Sequence, residues 1–159
     1  MHPLVASLVA AAVKNMTMIS TQANYYKAGI IDLLRAEGLP TDDLPQKLEN
    51  FVLSIEEEGI SGVCGLEIYS KYGLLRSLAV VKTHCNKGIA GQLIRQIEQN
   101  AVSNGLRNIY LLTETASAYF LNKGYENVAR ENVPEEIKQS TEFSHVCPVS
   151  AIVMKKDLK

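Results

Sequence analysis

"SLAVVKTHCNKGIAGQLIRQIEQNAVSNG", residues Ser77 to Gly105, reads as an apolar strand, a tight turn and a long helix. The turn carries Gly88 and Gly91 among small residues. A helix N-terminus has unpaired N–H groups and partial positive charge, so it holds phosphate without needing a basic side chain. Ile89, Ala90, Leu93, Ile94, Ile97, Ala101 and Val102 share one helical face, and Gly105 ends the helix. Two nucleotide patterns fit poorly. GxxxxGK[ST] needs its lysine after the glycine, and Lys87 precedes Gly88. GxGxxG is absent, and a dinucleotide fold needs more crossover units than the one visible here. A nucleotide-binding protein, with Glu114 on a ribose, is the weaker alternative.

Upstream of this stretch lie three strand-like runs, "NFVLSIEEE", "ISGVCGLEIYS" and "GLLRSLAVVK", separated by Gly59 and by Lys71–Gly73. Strands joined by such short turns are antiparallel. Downstream, "NIYLLTE" follows the long helix and can pair parallel to "LRSLAVV" through one right-handed crossover. "MISTQA" predicts a first strand, and "YYKAGIIDLLRAEGLP" a helix stopped by Gly38 and Pro40. "TDDLP" predicts a turn opening a second short helix. "TASAYFLNK" predicts a short helix, "YENVAR" a strand, "VPEEIKQS" a helical turn and "SAIVMKK" a last strand. The sum is an α+β domain with a mixed central sheet and helices on its faces.

The 159 residues are 47% hydrophobic and 21% charged, with a net charge of -1. That balance excludes a general electrostatic attraction to nucleic acid or an anionic membrane. Cys64, Cys85 and Cys147 are odd in number and lack a framework spacing, which points to a reducing compartment, the cytoplasm. "PLVASLVAAAV" has no Lys or Arg before it and no clear cleavage site after it, and a bilayer span needs about 20 apolar residues. Residues 1–15 are expected to be an extension holding a short apolar helix, with residues 16–159 as one domain. The apolar stripe and open strand edges make a homodimer an expectation.

Cys85-Asn86-Lys87-Gly88-Ile89-Ala90 resembles the [QR]-x-x-G-x-[GA] signature of the GNAT acyl-CoA N-acetyltransferases, and the order of elements matches that fold from about Met16 to Lys156. More narrowly, "LLTETASAYFLNKGYENVARENVPEEIKQS" resembles amino-acid N-acetyltransferases of the glutamate-acetylating type. "AEGLPTDDL", "GLLRSLAV" and "VPEEIKQSTEFSHVCPVSAIVMKK" together resemble the arsenic-resistance branch.

The resemblance implies acetyl-CoA as co-substrate and transfer of its acetyl group, by direct attack, to a small-molecule amine such as an amino acid or an analogue. It implies a splayed parallel strand pair with the pantetheine arm in the gap. Leu78, Ala79 and Val80 would pair with that arm, and the N–H groups of Lys87, Gly88, Ile89, Ala90 and Gly91 would hold the pyrophosphate. Cys85 departs from the signature, which calls for Gln or Arg there.

The backbone N–H of Leu78 or Val80 is the implied oxyanion donor. The family tyrosine lies four residues before the glycine of its GF/GY pair; Phe120 occupies that position here, and Tyr119 is one helical step away. Tyr119 is the candidate acid for the leaving thiolate, or a packing residue with a surface hydroxyl. Glu67 and Glu114 are candidate bases, or solvated strand-end carboxylates. Arg76, flanked by apolar residues, either binds a substrate carboxylate bidentately or enters an internal salt bridge. Arg130, Lys138 and Glu142 would wall the substrate side, with Arg130 a further substrate ligand. His84-Cys85 and His145-x-Cys147 offer soft or borderline metal ligands without a zinc spacing, so no metal is expected. Cys85 and Phe120 motivate the alternative of a non-catalytic acyl-CoA-binding module.

Overall fold

The computed structural model describes residues 18–146 and 149–159. The apolar helix expected within residues 1–15, and Cys147, lie outside the described residues. The chain runs β1 (Met18–Ser20), a 3-10 turn (Ala23–Tyr26), α1 (Lys27–Ala36), β2 (Phe51–Glu56), β3 (Gly59–Tyr69) and β4 (Tyr72–Val80). A second 3-10 turn (Lys82–His84) leads into α2 (Ile89–Ser103), β5 (Asn108–Thr113), α3 (Ser117–Asn122) and β6 (Glu126–Asn127). After a third 3-10 turn (Arg130–Asn132) come α4 (Glu135–Lys138), a π-helical turn (Glu142–Val146) and β7 (Ile152–Asp157). The sheet order is β1-β2-β3-β4-β5-β7-β6, and only β4 and β5 are parallel. This is the α+β mixed sheet expected from the sequence.

Both sheet faces are covered, because alternate strand residues are apolar on each side. Val52, Leu75, Ile109, Leu111 and Met154 pack with Leu93, Ile94 and Ile97 of α2 and Phe120 of α3. Their neighbours Phe51, Leu53 and Val63 pack on the opposite face with Ile30, Leu33 and Leu34 of α1. Leu74, Tyr110 and Val153 meet Val133, just before α4, and Ile137 of α4.

Three local expectations are corrected. Residues 41–50 form turns, with no short helix. Tertiary contacts outweigh the local signal there: the Leu48 N–H donates to Asn24 Oδ1 at 2.6 Å, and Asp43 accepts from Arg76. Val102 is 48% exposed, because it stands about 100° around the helix from buried Ala101. Only Glu126 and Asn127 of "YENVAR" form strand, since the chain turns into a 3-10 bend at Arg130.

Candidate active site

β4 and β5 pair only at Tyr72–Asn108, Gly73–Ile109 and Leu74–Tyr110. Beyond that point they part, and the β4 edge from Leu75 to Val80 faces no strand. A register shift near Cys64 of β3 puts a bulge in β4, where Ser77 has a φ of 57°. Such a bulge bends the strand and frees a backbone group from the ladder. The opening is a cleft of about 550 Å³. Leu75, Arg76, Ser77 and Leu78 line one side, and Leu111, Leu112 and Thr113 the other. Phe120, Glu114, Glu142 and the Glu37–Pro40 segment complete it.

A second cavity of about 480 Å³ lies at the far end of β4, lined by Val80, Cys85, Gly88, Gly91, Arg95, Tyr119 and Lys123 among others. Gly88 caps α2 in the left-handed region, with a φ of 78° and open space where a Cβ would stand. No side chain caps α2. Its first ladder bond is the Gln92 N–H to the Gly88 carbonyl, so the N–H groups of Ile89, Ala90 and Gly91 have no helical acceptor. Lys123 Nζ and Arg95 Nη1 stand 3.2 and 3.6 Å from the place of a Gly91 Cβ. Backbone donors, a helix dipole and two cations converge there, which suits a diphosphate.

The turn after α3 places the aromatic residues. Gly124, with a φ of 93°, lets the Tyr125 N–H reach back to the Phe120 carbonyl at 3.0 Å, and the two rings meet edge to face at 5.5 Å. Phe120 then lines the cleft, whereas Tyr119 lines the second cavity, beneath Lys123 Nζ at 5.4 Å from its ring centroid. Burial raises the pKa of the Tyr119 phenol.

Arg76 is 3% exposed and makes the internal salt bridge that was one of its two expected roles. Nη1 donates to Asp43 Oδ2 at 2.7 Å and Glu67 Oε1 at 2.8 Å, Nη2 to Asp43 Oδ1 at 2.9 Å, and Nε to Ser77 Oγ at 3.0 Å. Glu67 also accepts from the Tyr69 hydroxyl at 2.7 Å and lines a separate depression with Asn50 and Phe51. The network ties the loop before β2 to the bulged strand.

Of the expected site residues, the cleft gathers Arg76, Leu78 and Glu114. The second cavity gathers Val80, Cys85, Gly88, Ile89, Ala90, Gly91 and Tyr119. Glu67 and Arg130 do not line the cleft, Ala79 is buried against the α1 face, and Lys87 is exposed on the turn. Arg130 Nη2 donates to the Ala151 carbonyl at 2.9 Å, and its guanidinium lies 5.2 Å from the Phe143 ring centroid. Arg130 thus braces the wall next to Glu142.

Glu142 is the residue whose importance sequence reasoning missed. It is 8% exposed, and its Oε2 is buried with no hydrogen-bond partner among the described residues. Burial pushes its pKa up to about 7, with Arg76 opposing and Asp43 and Glu67 adding to the rise. The only sequence signal was its place in the C-terminal wall. Its isolation depends on which side chains surround it.

His84 pairs with Glu56 through Nε2, and Glu58 Oε2 lies 3.9 Å from the same nitrogen. These three residues put their ligand atoms within 4.8 Å of one another, the one such group of metal-ligating type among the described residues. The group draws on Glu56 and Glu58, not on the His84-Cys85 pairing weighed from sequence. Cys85 Sγ lies 3.7 Å from the Val81 carbonyl.

An open parallel strand pair leading to an uncapped helix amid cations is an arrangement suited to an extended ligand ending in a diphosphate. Residues 47–127, just over half of the chain, match the Acetyltransferase (GNAT) domain family, and the chain belongs to that family. An uncharacterized N-acetyltransferase of Chlorobaculum tepidum is 27% identical over 97 residues, which are 60% of this chain and 62% of the relative. The chain therefore spans less than two thirds of that relative's length. N-acetylglutamate synthase from Neisseria gonorrhoeae, complexed with coenzyme A and N-acetyl-glutamate, superposes with a TM-score of 0.73 at 16% identity, covering 91% of this chain and 35% of the synthase. A GNAT-family acetyltransferase from Staphylococcus aureus Mu50 gives 0.73 at 19% identity, covering 91% of this chain and 100% of that one. At such identities these structures establish the GNAT fold alone.

Proposed function

We propose that this protein transfers the acetyl group of acetyl-CoA to the amine of a small molecule. The observation that carries the reading is the open β4 edge, which runs from Leu75 to Val80 and ends beside the uncapped α2 N-terminus with Arg95 and Lys123. The pantetheine arm would add to that edge as a strand does, and the N–H groups at Ile89–Gly91 would take the pyrophosphate. The N–H of Leu78 or Val80, beside the bulge, would receive the charge that develops on the thioester oxygen. Tyr119, the candidate acid for the leaving sulfur, lines the second cavity and not the cleft, so a proton from it would have to cross between the two. Amino acids and their analogues are the first acceptors to test. Resemblance to the glutamate-acetylating and arsenic-resistance types supports that choice, as does the Neisseria synthase.

A reducing compartment, the cytoplasm, fits the free thiols of Cys64 and Cys85. Among the described residues no helix is long and apolar enough to cross a membrane. A homodimer is part of the same reading, and light scattering tests it.

One observation favours a second reading. Phe120, with no hydroxyl, faces the cleft where family members carry tyrosine, as a non-catalytic acyl-CoA-binding module would allow. The deciding experiment incubates the protein with acetyl-CoA and an amine panel and measures free coenzyme A by chromatography. Amine-dependent release establishes the enzyme. Binding of acetyl-CoA without release for any amine establishes the module.

A further inference from the structure

We propose that Glu142 receives the acceptor's ammonium group and takes its proton, and that the cleft selects cationic amines without a free carboxylate. Diamines and amino acids masked as amides are such acceptors. The inference rests on the reading of the cleft as an acetyl-transfer site, and it narrows the amino-acid acceptors proposed above to analogues whose carboxylate is masked or absent.

Two observations carry it. The first is the orphan carboxylate. Buried polar atoms are nearly always hydrogen-bonded, and a buried carboxylate without a partner is costly. Glu142 lines the cleft with Oε2 unpartnered among the described residues, and the group it lacks is a donor of positive charge. An ammonium supplies both.

The second is the charge of the cleft. Among its described lining residues, Arg76 is the one cation, against Glu37, Glu114 and Glu142. Arg76 is already held by Asp43 and Glu67, with its Nε on Ser77. Arg130 does not line the cleft and binds the Ala151 carbonyl behind its wall. A carboxylate on the acceptor would enter among carboxylates with no uncommitted guanidinium to meet it, whereas a second ammonium would be welcomed.

The charged groups that act on Glu142 are Asp43 from the loop before β2, Glu67 from β3 and Arg76 from β4. Their carboxylates and the burial oppose its ionisation, and Arg76 favours it. The resulting pKa of about 7 suits a base that must take up a proton and give it back near neutrality.

The proton and electron count closes. One proton of R–NH3+ passes to Glu142, and the freed nitrogen lone pair forms the C–N bond to the thioester carbonyl carbon. The C–S bond breaks with its electron pair on sulfur, and a second nitrogen proton ends on that sulfur as coenzyme A thiol. The third stays on the amide. Glu142 then releases its proton to water.

The test compares acceptors of equal length on the wild-type protein, 1,4-diaminobutane against 4-aminobutanoate and glycinamide against glycine, by chromatographic release of coenzyme A. The cationic member of each pair is expected to have a kcat/KM about 10- to 100-fold higher. Glu142→Gln, with its fold checked by circular dichroism, is expected to lower kcat by about 10²- to 10⁴-fold and to remove the acid limb near pH 7. Its acetyl-CoA affinity by calorimetry stays at the wild-type value. A preference for the carboxylate-bearing acceptors overturns the proposal even if the variant misfolds, as does a folded Glu142→Gln with the wild-type pH profile. Release with no amine from protein that binds acetyl-CoA overturns the enzyme reading itself.

Discussion

Replacing Glu142 with Gln keeps the shape of the side chain and removes its titration. The structure supplies the size of the effect. In the unfolded chain the carboxyl ionises at an ordinary 4.5, and in the fold burial moves this to about 7. The proton is therefore bound more tightly by the folded state. Below pH 4.5 both states are protonated and the contribution to stability is whole; as pH rises through 7 it is lost, because the fold must then bury a charge. The interval corresponds to about 3 kcal/mol. Gln pays no such penalty, so the stability of Glu142→Gln relative to wild type should rise by about 3 kcal/mol between pH 4 and pH 8. For a chain of this length that is about 6–12 °C in Tm. Thermal unfolding of both proteins across that range reads the difference, and any constant offset from the amide cancels. Parallel Tm curves would refute the reasoning, since they require Glu142 to ionise alike in the folded and unfolded chain.

Arg76→Met removes the cation shared by Asp43 and Glu67, both little exposed. It should lower stability by about 3–5 kcal/mol at pH 7.5, and urea titration should show part of that loss regained in the Arg76→Met/Asp43→Leu double variant. Gly65→Ala places a Cβ 2.7 Å from Phe51 Cε1 and closer still to two other atoms of that buried ring. Overpacking of this kind should lower stability by about 1–3 kcal/mol in the same titration, and a neutral result would show that the ring moves freely. Cys85→Arg puts a guanidinium at the rim of the second cavity, the proposed site of the diphosphate. A charge-assisted bond of about 1.5–3 kcal/mol should tighten acetyl-CoA binding by up to about a hundredfold, and an equal or weaker Kd by calorimetry would count against that placement.

Legibility in the sequence followed the range of the interactions. The α2 helix was readable because its apolar residues recur at helical spacing and Gly88 and Gly105 bound it. The antiparallel pairing of β2, β3 and β4 followed from turn lengths, and the parallel β4–β5 pair from one intervening helix. The short helix expected after "TDDLP" was misread because Asn24 and Arg76, distant in sequence, hold residues 41–50 in turns. The two roles open to Arg76 could not be separated until Asp43, 33 residues away, was seen beside it.

By itself the sequence determined the mixed sheet, the phosphate-suited turn at Gly88 and the chain's likeness to GNAT acetyltransferases. Periodicity, turn residues and a local motif are properties of neighbouring positions, and they survive without coordinates. The tertiary structure alone decided that Phe120 faces the cleft while Tyr119 lies in the second cavity, and that Arg76 is already paired. It alone isolated Glu142. Burial and pairing depend on what surrounds a group in space, and the residues around Glu142 come from three separate segments of the chain.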